Sequence, residues 1–168
     1  MIKMLEPMIG ELQQEADTTR RVLVRVPADK LAWKPHPKSM SLGQLAMHIA
    51  TIPGSLSKLA QLDGIDASTA DFNAPQPANT QEILTTLETG VKAAEKYLGE
   101  ISEADAMGSW RLTAGKKEIF TIPRVGVLRT ILLNHWYHHR GQMSVYLRLL
   151  EIPVPVIYGR SADENPFA

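Results

Sequence analysis

The residues of this chain best suited to chemistry are histidines, and three of the five lie within one five-residue stretch. His135 and His139 are four residues apart, so on an α-helix they project from the same face, one turn from each other. Two imidazoles at that spacing can bind one metal ion, with each nitrogen about 2.0–2.1 Å from it. A third ligand has to come from elsewhere, and His48, alone on another apolar helical stretch, is the best candidate.

The other two histidines are weaker candidates. His36 is flanked by prolines in a polar connection, so we expect it in solvent and keep it as a reserve ligand. His138 lies off the face that carries His135 and His139, and we expect it at the surface or at an interface. A single histidine on an apolar face is more often a hydrogen-bonded core residue than a ligand, and for His48 the histidine pair reverses that expectation.

The elements that must position these side chains are helices. Apolar residues recur at three- or four-residue steps in four stretches, each with polar residues on the other face. Pro27 and Pro153 mark the ends of the first and last stretches. Ser39 or Ser41 can cap the second helix, Thr80 the third, and Pro53 with Gly54 is expected to kink or loosen the second. The predicted helices cover residues 5–26, 42–62, 80–98 and 121–151.

These helices predict an all-α fold, a four-helix bundle of one domain over residues 1–168. Residues 110–113 and 117–121 flank Ala114-Gly115-Lys116, which predicts a small β-hairpin at 110–121. The connections exceed ten residues, long enough to cross the bundle, so parallel neighbouring helices are allowed. Trp33 is expected to pack its loop on the helices, and the apolar segment 153–158 to fold back over one end.

Composition excludes several classes of protein. The chain has 18 basic and 18 acidic residues, which gives no general attraction to nucleic acid or to an anionic membrane. No apolar run approaches the roughly 18 residues of a membrane-spanning helix, and the first residues do not resemble a signal peptide, so we expect a cytoplasmic protein. The chain has no cysteine, so disulfides, thiolate ligands and a cysteine nucleophile are excluded.

Several short motifs together resemble one known family. They are Asn134-His135-Trp136-Tyr137-His138-His139-Arg140-Gly141-Gln142, then Tyr146-Leu147-Arg148, Pro153-Val154-Pro155 and Tyr158-Gly159, with His48 in Gln44-Leu45-Ala46-Met47-His48-Ile49-Ala50. The combination resembles the DinB-like (damage-inducible) family. The resemblance spans nearly the whole chain, is most specific over residues 134–159 and is loose over residues 60–120.

The resemblance implies a four-helix bundle, often up-up-down-down and often dimeric, that holds a divalent metal on three histidines. The family's ligands fall here on His48, His135 and His139, the set that the spacing also selects. The metal in this family is variously zinc or nickel, and sometimes iron or manganese. Several relatives are thiol-dependent transferases or isomerases that use a low-molecular-weight thiol such as bacillithiol or mycothiol.

An open site with three neutral imidazoles favours catalysis, because structural zinc sites are usually closed by four protein ligands. A bound metal would act as a Lewis acid that lowers the pKa of a water or an exogenous thiol. The sequence places no Asp or Glu next to a ligand, which disfavours a hydrolase and suits thiol transfer. We therefore expect a metal-dependent thiol transferase; the alternatives are a non-catalytic metal-binding or ligand-binding stress protein and a metal-dependent hydrolase.

Two residues near the ligands are candidates for a catalytic role. Gln142 lies on the ligand face and would orient substrate or a ligand histidine; capping the core is its alternative role. Arg140 would pair with a substrate carboxylate; the alternative is an ion pair with a neighbouring helix or a dimer mate.

Gly126 and Gly141 within the last helix cost of order 1 kcal/mol each relative to Ala, and close helix approach would compensate. With the resemblance, this predicts a homodimer.

Overall fold

The computed structural model describes residues 5–167, and most of them are helical. The predicted helices are found, with shifted ends. In chain order the helical elements are α1 (Glu6–Leu23), a short 3-10 turn (Ala28–Lys30), α2 (Leu42–Leu59), α3 (Thr80–Glu100), α4 (Glu103–Met107), α5 (Arg124–Val127), a π-helical segment (Leu128–Asn134) and α6 (His135–Leu149). No helix among residues 5–167 is long and apolar enough to cross a membrane.

Side-chain caps begin the second and third helices. Ser41, one of the two expected caps, accepts a hydrogen bond from the Gln44 N–H at 3.1 Å, and the Gln44 side chain accepts one from the Ser41 N–H at 3.0 Å. This reciprocal pair is a capping box. The prediction for α3 was wrong by one residue. Asn79 is the cap, because its side-chain oxygen accepts the Glu82 N–H at 2.9 Å. Thr80 instead donates its hydroxyl to the Val26 carbonyl at 2.9 Å.

The predicted fourth helix is a continuous segment, residues 124–149, that changes type along its length. It begins three residues later than predicted, because residues 121–123 belong to a strand. Its middle, Leu128–Asn134, is π-helical and ends immediately before His135. π-helical turns within α-helices occur frequently at functional sites. Both members of the histidine pair lie in the regular helix α6, so their four-residue spacing keeps its predicted geometry.

Contacts between the long helices give their directions. Met40 just before α2, Ile49 within it and Ala60 just after it contact Tyr146, Trp136 and Arg124 in turn, so α2 is antiparallel to segment 124–149. In α3, Gly90 meets Gly54 and Tyr97 meets Ala60, so α3 is parallel to α2. In α1, Glu11 pairs with Arg129 and Thr19 with Arg140, so α1 is parallel to segment 124–149.

The long helices therefore run up, down, down, up. The up-up-down-down order that the family resemblance implied is wrong for this chain. The parallel pair α2 and α3 needs a connection that returns along the length of the helices, and the long segment between them, residues 60–79, makes this return.

A three-stranded sheet corrects the all-α prediction. β2 (Ser109–Ala114) and β3 (Lys117–Pro123) form the predicted hairpin, with Gly115 in the turn at a φ of 60°. The strand that was not predicted is β1 (Gly64–Asp66), which pairs in parallel with β2. The sheet is attached to the helices through Trp110, which is buried and donates its indole N–H to the Leu59 carbonyl at 3.1 Å.

Two loop predictions are confirmed. Trp33 is half-buried and meets Tyr146 edge to face, with ring centroids 5.7 Å apart. The segment after α6 folds back as expected, since Val154 is buried and the Val156 carbonyl accepts a hydrogen bond from Arg21 in α1. This segment, residues 153–158, packs against α1, and we call it the return segment.

Gly54 does not loosen α2. A Cβ built on Gly54 would lie only 2.9 Å from the Gly90 Cα, so the backbones of α2 and α3 touch at this pair. The helix continues through Pro53 to Leu59. The two glycines therefore explain how closely these parallel helices approach each other.

Candidate metal centre

The structure brings His48, His135 and His139 together. Each offers one ring nitrogen, and the three nitrogens lie within 4.8 Å of one another. The Nε2 atoms of His48 and His135 are 3.1 Å apart. We call these three residues the histidine cluster; each of its side chains is intermediate between buried and exposed.

A proline and a tryptophan set the position of α2 against α6 at the cluster. Pro53 has no N–H, so within α2 the Ile49 carbonyl lacks its usual partner four residues on. The fully buried Trp136 donates its indole N–H to that carbonyl at 3.0 Å. Ile49 follows His48 and Trp136 follows His135 in the chain, so this one hydrogen bond holds the two histidines in register.

Gln142 orients the third histidine. Its Oε1 lies 2.6 Å from Nδ1 of His139. An amide oxygen only accepts, so Nδ1 carries the proton and donates it, and Nε2 keeps its lone pair. A hydrogen bond to the second ring nitrogen is the usual way in which a metal-binding histidine is held in one tautomer and one orientation.

The surroundings of the cluster lower the pKa of its histidines and so favour their neutral form. Burial lowers the pKa of His48 and of His135 from 6.5 to about 4, and repulsion from neighbouring histidines adds to the effect. Burial also lowers the pKa of His139, against the opposing effect of the hydrogen bond to Gln142. No carboxylate is among the groups that shift these three pKa values. At neutral pH the rings are therefore uncharged donors, the form in which imidazole binds a metal.

The donor set fits a divalent metal ion. Two nitrogens at about 2.05 Å from one ion lie roughly 2.9 Å apart at an octahedral angle and roughly 3.3 Å apart at a tetrahedral angle. The 3.1 Å between the Nε2 atoms of His48 and His135 falls between these values. Among the described residues, no Asp or Glu and no fourth histidine joins the group. Imidazole-only sites suit zinc, copper, iron and nickel better than magnesium or calcium.

The remaining two histidines lie outside the cluster, as expected. His36 is exposed in its loop, where its Nδ1 accepts the Lys38 N–H at 3.1 Å. His138 is exposed on α6, and its ring centroid is 4.9 Å from that of His139. Neither belongs to the group of nitrogens that can share an ion.

Arg140 does not face a substrate site, which corrects its candidacy as a catalytic residue. Its side chain is 1% exposed and forms an ion pair of 2.5 Å with Glu15 of α1, whose side chain is 8% exposed. The Tyr158 hydroxyl contacts both members of the pair. The guanidinium carbon of Arg140 lies over the rings of Tyr137 and Tyr158, 5.2 and 5.0 Å from their centroids. The alternative that the sequence left open, an ion pair with a neighbouring helix, is the one observed.

Sequence reasoning missed the residues that support the cluster and those that surround Arg140. Trp136 and Pro53 stand out in the sequence, and because proline has no N–H, Pro53 indicates that the Ile49 carbonyl needs another donor. Glu15 carries no local indication of its role, because its partner is 125 residues further along the chain. The return segment was expected to pack on the helices, and the contact that Tyr158 makes could not be assigned from spacing.

Comparisons with known proteins identify the family of this chain. A model of the DinB family matches residues 1–165. The uncharacterized protein YrdA of Bacillus subtilis (strain 168) is 26% identical over an alignment of 167 residues, which covers 98% of this chain and 93% of that protein.

Two solved structures have a similar fold. A DinB-like protein from Bacillus cereus ATCC 10987 superposes with a TM-score of 0.72 at 25% identity, over 94% of this chain and 100% of that one. The DinB-like protein YjoA from Bacillus subtilis gives 0.69 at 15% identity, over 93% and 100%, which is a likeness of fold alone.

Proposed function

Because this chain belongs to the DinB family, we propose that it binds a divalent metal, zinc or nickel, through His48, His135 and His139. We propose further that the site activates a low-molecular-weight thiol and transfers it to an electrophile. The observation that carries the proposal is the histidine cluster itself, with three neutral ring nitrogens within 4.8 Å. The four long helical segments, taken as a four-helix bundle, provide the rigid frame for it.

The reaction is a thiol transfer. A bound divalent metal would supply a Lewis acid that stabilises the thiolate form of the substrate. The thiol gives its proton to solvent, and its sulfur uses a lone pair to form a bond to an electrophilic carbon of the acceptor. The leaving group departs with its bonding electron pair; where the acceptor is an activated double bond, the neighbouring carbon takes a proton instead. Atoms and charges balance without an oxidant or a reductant.

The residues of the chain have limited roles in this scheme. His48 and His135 hold neutral nitrogens in register through the Trp136 to Ile49 hydrogen bond. Gln142 holds His139 with Nε2 free. The cluster includes no carboxylate among the described residues, so it lacks the general base that a hydrolase usually positions beside its metal. This supports transfer of a thiol, whose ordinary pKa near 8.5 needs a shift of only about two units.

The reaction class can be tested with cobalt-loaded protein. Addition of a small thiol should produce a cobalt–sulfur charge-transfer band. The zinc-loaded or nickel-loaded protein should accelerate conjugation of that thiol to an electrophile, and His135→Ala should do neither. Metal-dependent ester or amide hydrolysis with no cobalt–thiolate band would contradict the transferase and favour the hydrolase. Silence in both assays would favour a non-catalytic metal-binding protein.

We also propose that the protein is a homodimer. Gly141 meets nothing within 4 Å of where its Cβ would be, so no close approach within the described chain explains this glycine. Val145 and Leu149 follow at four-residue steps and are each 57% exposed. The three residues form an uncovered face of α6 that a second copy would bury. Light scattering should give twice the chain mass of 18.6 kDa, and a monomer mass across micromolar concentrations would contradict the dimer.

A further inference from the structure

An open groove of about 690 Å³ lies between α2 and α3, and no residue of the histidine cluster lines it. Its α2 wall runs from Thr51 to Lys58, about 10 Å at 1.5 Å per residue, and continues to Gln61 just after the helix. The touching backbones of Gly54 and Gly90 form part of its lining. A volume of this size is in the range of small-molecule sites, roughly 300–1,000 Å³.

Two lysines line opposite walls of the groove. Lys58 is on α2 and Lys96 is on α3. They lie at a similar height, because Tyr97, next to Lys96, donates its hydroxyl to the carbonyl of Ala60, two residues after Lys58. No described residue forms an ion pair or a hydrogen bond with either ammonium group. Two unpaired like charges that face one groove attract an anion between them.

The rest of the lining is rich in hydroxyl groups. Ser55 and Thr89 line the groove without any described hydrogen-bond partner, so both can donate and accept. Thr51 also lines the groove. Its hydroxyl donates a hydrogen bond to the His48 carbonyl, so the hydroxyl oxygen of Thr51 can still accept one. These three residues precede the lysines along their helices, so the hydroxyl-rich part lies to one side of the two charges.

Glu100 lies on the other side of the two lysines, opposite the hydroxyl groups. It lines the groove one helical turn beyond Lys96, at the end of α3, and no ion pair joins it to either lysine. Its negative charge disfavours an anion at that end. The charged group of a ligand is therefore expected between the lysines, with its uncharged part toward Ser55 and Thr89.

We propose that this groove is a second binding site, separate from the proposed metal centre, for a small polyhydroxylated anion. Lys58 and Lys96 hold the anionic group, and the hydroxyls of Ser55 and Thr89 pair with the hydroxyls of the ligand. A phosphate and a carboxylate share this chemistry. The site binds and does not transform its ligand, and it does not depend on a metal.

Calorimetric titration of the full-length, metal-free protein at low ionic strength tests the site. The probes are glucose 6-phosphate, gluconate and neutral glucose, each up to about 10 mM, which detects dissociation constants into the millimolar range. Glucose 6-phosphate or gluconate should bind saturably, and the tighter of the two identifies the charged group. Glucose should bind at least about tenfold more weakly.

Variants assign the binding to the groove. Lys58→Met and Lys96→Met should each weaken binding about three- to fivefold, the range for one partly exposed ion pair. Lys92→Met is the matched control, because Lys92 is an exposed lysine of α3 that does not line the groove. It should bind as the parent does. Absence of saturable binding, equal binding of glucose, or an equal loss with Lys92→Met would overturn the proposal.

Discussion

The hydrogen bond between Trp136 and Ile49 can be tested by removing it and then supplying a substitute. Trp136→Phe keeps an aromatic ring and removes the indole N–H, which leaves the Ile49 carbonyl without its donor at a site where both residues are buried. Pro53→Ala then restores a backbone N–H four residues after Ile49, where a regular helix would provide it. Together the two changes measure how much a donor to the Ile49 carbonyl contributes to stability.

The expected magnitudes follow from burial. An unsatisfied buried carbonyl costs about 1–3 kcal/mol, and the smaller phenylalanine ring adds a cavity cost to Trp136→Phe. Pro53→Ala should restore only the first of these. It should therefore stabilise the Trp136→Phe protein by at least about 1 kcal/mol more than it stabilises the parent, a coupling within the range seen for residues that share a partner.

The assay is urea unfolding of the four proteins that make up this cycle, in metal-free buffer. A coupling of 1 kcal/mol corresponds to roughly 2–4 °C in melting temperature for a chain of this size, so thermal unfolding provides a second readout. If Pro53→Ala changes stability equally in both backgrounds, Trp136 does not serve the carbonyl that Pro53 frees, and the account of how α2 and α6 are held in register is refuted.

Three further predictions concern packing and charge. Gly54→Ala should destabilise the protein by about 1–3 kcal/mol in urea, since its Cβ would lie 2.9 Å from Gly90, whereas Gly99→Ala, which meets nothing within 4 Å, should stabilise it slightly. Glu15→Leu should cost about 3–5 kcal/mol by leaving Arg140 buried and unpaired, and adding Arg140→Met should recover most of that loss; additive losses would contradict the ion pair. In metal-free protein the folded pKa of two members of the histidine cluster is about 4, below 6.5, so the unfolded chain binds more protons between these values. Stability should then fall as pH is lowered from about 6.5 toward 4, and this part of the pH dependence should vanish when the cluster is replaced by glutamines.

Local patterns were enough to predict the elements that carry the site. The long helices follow from apolar periodicity, and the hairpin follows from a turn between two short runs. His135 and His139 meet because a four-residue step on a helix is local geometry. The association with His48 came from one core-facing histidine and from the resemblance, and the structure confirms that the three lie together.

The features that were missed depend on partners far along the chain. β1 has three residues, too short for an alternating pattern, and its partner β2 begins 45 residues later. Glu15 looks like any polar residue of an amphipathic helix until Arg140 is placed beside it. The order of helix directions depends on which long connection crosses the helices, and connection length alone allowed more than one order.

Metal content is the most direct test of the central claim, that His48, His135 and His139 bind one divalent metal. The protein should be purified without an affinity tag, and its bound metal should be measured by inductively coupled plasma mass spectrometry. The parent, His36→Ala and His138→Ala should each retain about one zinc or nickel ion per chain. His48→Ala, His135→Ala and His139→Ala should each lose most of it while remaining folded. Stoichiometric metal in any of these three variants, or a folded parent that binds no divalent metal when supplied with it, would contradict the claim.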